Sequence, residues 1–220
     1  LFDADKMYKA IEESGMGDPT EIFTCIDPHP YVAPDGQKYL YFVRDRAGSE
    51  QKTHIWGMKM NTWTDPDYSS VTRLTRTGYY TVDDQSEENI ATYEGTNNYI
   101  NEGPYIYESL QSDGSYRYYL TLSINGYTDK TYSVIQAVGN SPLGPFTKPK
   151  EEDGGILIGT DGQSWDHISG PGHHSFIRIG DELYVLYHEH IDRLTGNSQR
   201  YAAIDRVEFT HNAKGEEVLY

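Results

Sequence analysis

A single cysteine, Cys25, stands among 220 residues, so no disulfide can form within the chain. Its absence neither requires nor excludes export. Cations are scarce as well: 18 Lys and Arg face 34 Asp and Glu, a formal net charge of −16. A surface of that sign repels phosphate backbones and anionic headgroups. It argues against nucleic acid and membrane as partners and fits a neutral ligand such as a plant polysaccharide. No run is long and apolar enough to span a bilayer as a helix. There is no HExxH, no paired cysteine ligands and no phosphate-cradling glycine loop, so hydrolytic metalloenzyme and nucleotide-binding readings find no support. The chain opens on Leu1 rather than Met and shows no signal peptide. It is expected to be processed, or to be a piece of a longer protein.

Aromatic residues are plentiful. Twenty tyrosines and three tryptophans suit strands at half-wet surfaces, and a tyrosine ring also stacks on a sugar face. Residues Lys6 to Ser14 carry helix formers at a rough helical period and are stopped by Gly15 and Gly17, which predicts a short helix. Beyond it the chain reads as strand and turn. Three segments are alike: Pro34 to Phe42, Ser112 to Leu120 and Ile179 to Tyr187 each place a glycine turn before an aromatic-rich run, the pattern of a β-hairpin. Their turn glycines, Gly36, Gly114 and Gly180, lie 78 and 66 residues apart. Further strands are predicted at His54 to Met60, Tyr132 to Val138 and Tyr201 to Phe209.

The expected fold is all-β, a repeated four-stranded unit of the propeller kind. The expected layout is a helical lead-in over 1–20 and blades over 21–95, 96–160 and 161–220. Propellers have four to eight blades. Three leave sheet faces and edges open, so further blades are expected on a second polypeptide or on a part of the protein outside this sequence.

Polar residues precede each hairpin: Asp27 in Ile26-Asp27-Pro28-His29-Pro30, Glu102 in Asn101-Glu102-Gly103-Pro104, and His173 in Gly170-Pro171-Gly172-His173-His174. They lie 9, 12 and 7 residues before their turn glycines. The first strand of a propeller blade runs beside the axis, so the three should meet in one funnel. Two carboxyls in one funnel fit glycoside hydrolysis, where a carboxylic acid protonates the leaving oxygen and a carboxylate activates water or attacks the sugar. Burial or a neighbouring carboxylate keeps such an acid protonated near neutral pH. Each residue also has a plain structural explanation: an Asp before Pro begins turns, and a histidine pair in a glycine-rich loop can simply hydrogen-bond.

Taken as a set, Ile26-Asp27-Pro28, Glu102-Gly103-Pro104 and Gly170-Pro171-Gly172-His173-His174-Ser175-Phe176 resemble glycoside hydrolase family 43. Ile55-Trp56-Gly57, Ser141-Pro142-Leu143-Gly144-Pro145-Phe146 and Val185-Leu186-Tyr187-His188 support it, in the right order along almost the whole chain. The pairing of Ile55-Trp56-Gly57 with the Gly-Pro-Gly-His loop looks most like the arabinanase branch. The resemblance implies a five-bladed β-propeller and an inverting glycosidase acting on arabinan or on arabino- or xylo-oligosaccharides, secreted or periplasmic. It implies Glu102 as general acid and Asp27 as the carboxylate that raises the acid's pKa and orients it. It implies His173 beside a central metal, usually calcium, held largely through waters, and Arg200, with His29, against the sugar. For Arg200 a surface salt bridge is the plain alternative. The family's general base is an Asp of the first blade. Asp27 lies one blade before the acid and does not match it, and Asp3 and Asp5 lie in the lead-in without the motif. The base is therefore expected outside this sequence, and the 220 residues alone are expected to be inactive. The competing readings are a β-xylosidase or α-L-arabinofuranosidase of the same fold, and a carbohydrate-binding propeller without catalysis.

Overall fold

The computed structural model describes residues 3–15, 24–45, 53–95, 100–160, 168–191 and 199–220. Helix α1, Ala4–Ser14, begins where the Asp3 side chain accepts the Lys6 amide at 3.1 Å. It ends at Gly15, whose φ of 65° lets its N–H turn back to the Glu12 carbonyl. Met7, Ala10 and Ile11 recur at helical spacing and are buried as one stripe.

Three antiparallel sheets follow. The first is five-stranded: β1 Thr24–Val32, β2 Lys38–Asp45, β3 His54–Thr62, β4 Asp65–Pro66 and β5 Thr72–Arg73. The second is four-stranded: β6 Asn101–Leu110, β7 Tyr116–Ile124, β8 Ser133–Gly139 and β9 Ile156–Ile158. The third is three-stranded: β10 Gly172–Ile179, β11 Glu182–His190 and β12 Arg200–Val207. Each opens with a hairpin turning at one of the three repeated glycines.

A uniform four-stranded repeat is not what forms. The last strands, β13 Phe209–His211 and β14 Glu217–Leu219, make a separate two-stranded hairpin. It is held by the second sheet rather than added to the third. The Gln136 amide takes the Leu219 N–H at 3.0 Å and donates to its carbonyl at 2.9 Å, and the Tyr119 hydroxyl donates to Glu217 at 2.6 Å. Residues 161–167, the start of the expected third unit, lie outside the described set.

Two-residue alternation sorts the side chains onto opposite faces. From β2, Tyr39, Tyr41 and Val43 point into the core shared with Ile106, Leu120, Leu122 and Ile124 of the second sheet. Leu40 and Phe42 point the other way, with Trp56, Met58 and Met60, into the stripe of α1. Both faces of β2 are thus buried, which is why Tyr39–Val43 reads as a continuous apolar run. An apolar side chain such as Phe42, buried this completely, contributes roughly 1.5–3 kcal/mol through the hydrophobic effect. The second sheet lies between two layers, its other face packing Tyr119, Val134 and Ile158 on Phe176, Leu183, Val185 and Tyr187 of the third. The far face of the third sheet is different. Ile177, Ile179, Leu186 and Ile204 are 37–54% exposed there. Among the described residues the sheets form a stacked arc and do not close into a ring.

Candidate active site

The same irregularity interrupts the first strand of every sheet. Register slips between Ile26 and His29 in β1, between Glu102 and Tyr105 in β6, and between Gly172 and Ser175 in β10. The residue that opens each bulge has left-handed backbone: Asp27 at φ 51°, Gly103 at φ 57° and His173 at φ 48°. Glycine takes that conformation freely, whereas Asp and His adopt it at a cost. A bulge re-aims the side chains around it. The equivalent positions are therefore Asp27, Gly103 and His173, with Glu102 one residue earlier, at the level of Ile26 and Gly172. The unequal spacings to the turn glycines follow, because the hairpin arms differ in length while the bulges align.

The bulges bring the predicted residues together. Asp27 Oδ2 accepts the Gly103 amide at 2.9 Å, which ties it to the peptide next to Glu102. Asp27 Oδ1 lies 4.0 Å from His173 Nε2. Glu102 Oε1 accepts the hydroxyl of Tyr132 at 2.5 Å. Burial pushes the Glu102 carboxyl above the usual carboxylate range. The Tyr132 hydrogen bond opposes that shift, the Asp27 charge adds to it, and His173 opposes it. A carboxyl so placed holds its proton to higher pH than a free glutamate, as a general acid must.

Tyr132 escaped the sequence reading, which placed it at the start of a strand. It sits in the turn before β8, fully buried. Its ring passes so close to Gly172 that a Cβ there would fall 1.9 Å from Cε1. On its other side it stacks on His188, 5.6 Å between centroids at 10°. Arg200 Nη1 donates to His188 Nε2 at 2.9 Å, which makes that nitrogen the acceptor and leaves the ring's proton on Nδ1. Burial, with Arg200 beside it, lowers the His188 pKa to about 4, so the ring is neutral. The Arg200 guanidinium also lies 5.1 Å from the ring centre of Tyr127, whose carbonyl is held by His190. Arg200 thus reaches Glu102 through His188 and Tyr132. His29 lies further down β1, its ring 4.2 Å from that of Tyr105 and its Nε2 out of solvent, with burial lowering its pKa to about 4. His174 points away from Asp27, buried, with Nε2 2.6 Å from Thr121 Oγ1.

A calcium ion takes six to eight oxygen ligands. Among the described residues no three His, Cys, Asp or Glu side chains converge on one point. A calcium held largely through waters beside His173, with Asp27 4.0 Å from that ring, would need no such cage. A groove of about 800 Å³, lined by Tyr80, Arg117, Asn140 and Lys150 among others, lies at the other end of the second sheet. Arg117 pairs with Ser109, seven residues along β6 from Glu102, or about 23 Å at strand rise.

Stacked antiparallel sheets with their first strands side by side, and two carboxyls brought close at their bulges, are the layout of a propeller-like glycoside hydrolase family. The signature of the glycosyl hydrolases of family 43 matches residues 14–214, and the chain belongs to that family. A thermostable family-43 glycoside hydrolase of known structure is 27% identical, with a TM-score of 0.65 over 89% of this chain and 57% of that one. An endo-1,4-β-xylanase from Bacteroides thetaiotaomicron, 23% identical, shares the fold with a TM-score of 0.67 over 92% of this chain and 60% of that one. A β-D-galactofuranosidase of Aspergillus niger is 34% identical over 116 residues, which is 52% of this chain and 30% of the relative. The chain therefore spans under two thirds of each of these proteins.

Proposed function

We propose that the protein of which this chain is part is an inverting glycosidase of plant cell-wall arabinan, with Glu102 as general acid and Asp27 as the carboxylate that orients it and raises its pKa. The observation that carries the reading is the Asp27–Gly103 hydrogen bond, which fixes a second carboxylate beside a buried Glu102 whose pKa burial raises. The acid gives its proton to the glycosidic oxygen as the bond to the anomeric carbon breaks. A base on the opposite face takes a proton from the attacking water, at a carboxyl separation of roughly 6.5–9.5 Å. We assign that base to the part of the longer protein outside these residues, in blades that complete a five-bladed ring. The 220 residues by themselves then release no reducing sugar. Arg200 is assigned to a sugar hydroxyl. A polymer of this size cannot enter a cell intact, so the enzyme is assigned to the secreted or periplasmic space.

A second reading, a furanosidase that trims terminal residues, is favoured by the likeness to the Aspergillus β-D-galactofuranosidase. Linear arabinan, xylan and aryl α-L-arabinofuranoside, β-D-xyloside and β-D-galactofuranoside, assayed side by side, separate the two. The acid role is tested by Glu102→Gln in the full-length protein, expected to cut turnover of the preferred polysaccharide roughly 10²–10⁴-fold. Near-normal turnover would remove Glu102 from that role.

A further inference from the structure

We infer that Tyr132 is a positioning residue that decides which oxygen of Glu102 carries the acidic proton. This rests on the reading of Glu102 as general acid. The geometry is a buried hydroxyl aimed at the carboxyl where the second and third sheets meet. The His173 backbone N–H donates to Ser123 Oγ at 2.8 Å. Ser123 is the cross-strand partner of Glu102 and is fully buried. The Tyr132 hydroxyl donates to Glu102 Oε1 at 2.5 Å. A phenol has one proton to give, so this bond fixes Oε1 as an acceptor.

With Oε1 occupied by a donated hydroxyl, the proton of the neutral carboxyl resides on Oε2. Burial, and the Glu102 charge after it, holds the Tyr132 pKa well above its ordinary value, so the phenol stays a donor throughout the working pH range. During glycosidic cleavage the Oε2 proton moves to the leaving oxygen, and the electron pair left behind spreads over both carboxylate oxygens. The Tyr132 proton stays on its own oxygen. Its hydrogen bond to Oε1 becomes charge-assisted and shorter as the carboxylate forms, so it strengthens along the reaction.

The ring is fixed for this task. Gly172 lacks the Cβ that would strike it, and the neutral His188 ring stacks on its face and is itself held by Arg200. The charged or titratable groups that face Glu102 are Asp27 from β1, Asp45 from β2, His173 from β10 and Tyr132 from the turn before β8.

The test is Tyr132→Phe, which keeps the ring against Gly172 and His188 and removes the hydroxyl alone. In the full-length protein the alkaline limb of kcat/KM against pH, set by loss of the acid's proton, should move up by about one pH unit or more, because the ionised acid loses a donor. Asp27→Asn should move the same limb down. Turnover of glycosides with poor leaving groups should fall more than that of dinitrophenyl glycosides, which need little proton donation. A Tyr132→Phe profile that overlies the wild type, with both substrate classes affected alike, overturns the inference if Glu102→Gln is inactive on polysaccharide. An active Glu102→Gln overturns the acid assignment itself, and the inference with it.

Discussion

Lys148→Met should be among the most damaging single substitutions outside the site. Lys148 is 2% exposed. Its ammonium donates to Glu94 Oε1, to Asn101 Oδ1 at 3.1 Å and to the Arg76 carbonyl at 2.9 Å. Glu94, equally buried, accepts the Gly78 amide at 2.8 Å and the Asn101 side chain at 3.0 Å through its other oxygen. The cluster fastens the long connection between the first and second sheets to the residue immediately before Glu102. Methionine fills the space but leaves the Glu94 carboxylate buried with neutral donors only. Stranding one member of a buried pair costs about 3–5 kcal/mol, against a total stability of about 5–15 kcal/mol for an ordinary protein. In urea the midpoint should fall by about 1 M or more, followed by far-UV circular dichroism on the full-length protein. Taking both charges out of water offsets most of their attraction, so the pair gains little over a neutral one. Adding Glu94→Gln to Lys148→Met should therefore recover much of the loss, since the amide oxygen still accepts the Gly78 N–H. A loss below about 1 kcal/mol for the single variant, the size of an average substitution, would refute the account of the cluster as buried and closed to water.

Two more predictions follow from the packing. Gly172→Ala drives a methyl into the Tyr132 ring, so the ring must leave Glu102. The expected cost is about 1–3 kcal/mol of stability, with a larger proportional loss of turnover than a surface substitution of equal cost, measured by pairing denaturation with kcat. Burial raises the pKa of Tyr31, Tyr41, Tyr93, Tyr119, Tyr132 and Tyr187 above the ordinary 10. These phenols stay protonated in the folded state where the unfolded chain would ionise. Their contribution is fully present below pH 10 and is lost as pH rises above it. Stability should hold to about that pH and then drop, with tyrosinate absorbance rising together with loss of circular dichroism. Gradual ionisation ahead of unfolding would show the rings to be wetter than they are here.

The hairpins were legible in the sequence because their causes are local. A glycine turn followed by alternating aromatic and aliphatic residues specifies two paired strands wherever it occurs, and α1 carries its own cap and stop. Asp27, Glu102 and His173 were legible because unusual residues, among prolines and glycines, mark a bulge. Other features depended on distance. The equivalence of Asp27 with Gly103 rather than with Glu102 appears only when cross-strand register is known, since hairpin arms of unequal length hide it from spacing. Tyr132 is one of twenty tyrosines, and nothing adjacent to it in sequence distinguishes it; Gly172 and His188, some forty and fifty-six residues away, hold its ring on the acid. The docking of the last hairpin on Gln136 likewise spans 83 residues. Local pattern determined which strands form. Contacts between sheets, which no local pattern records, decided which hydroxyl meets Glu102.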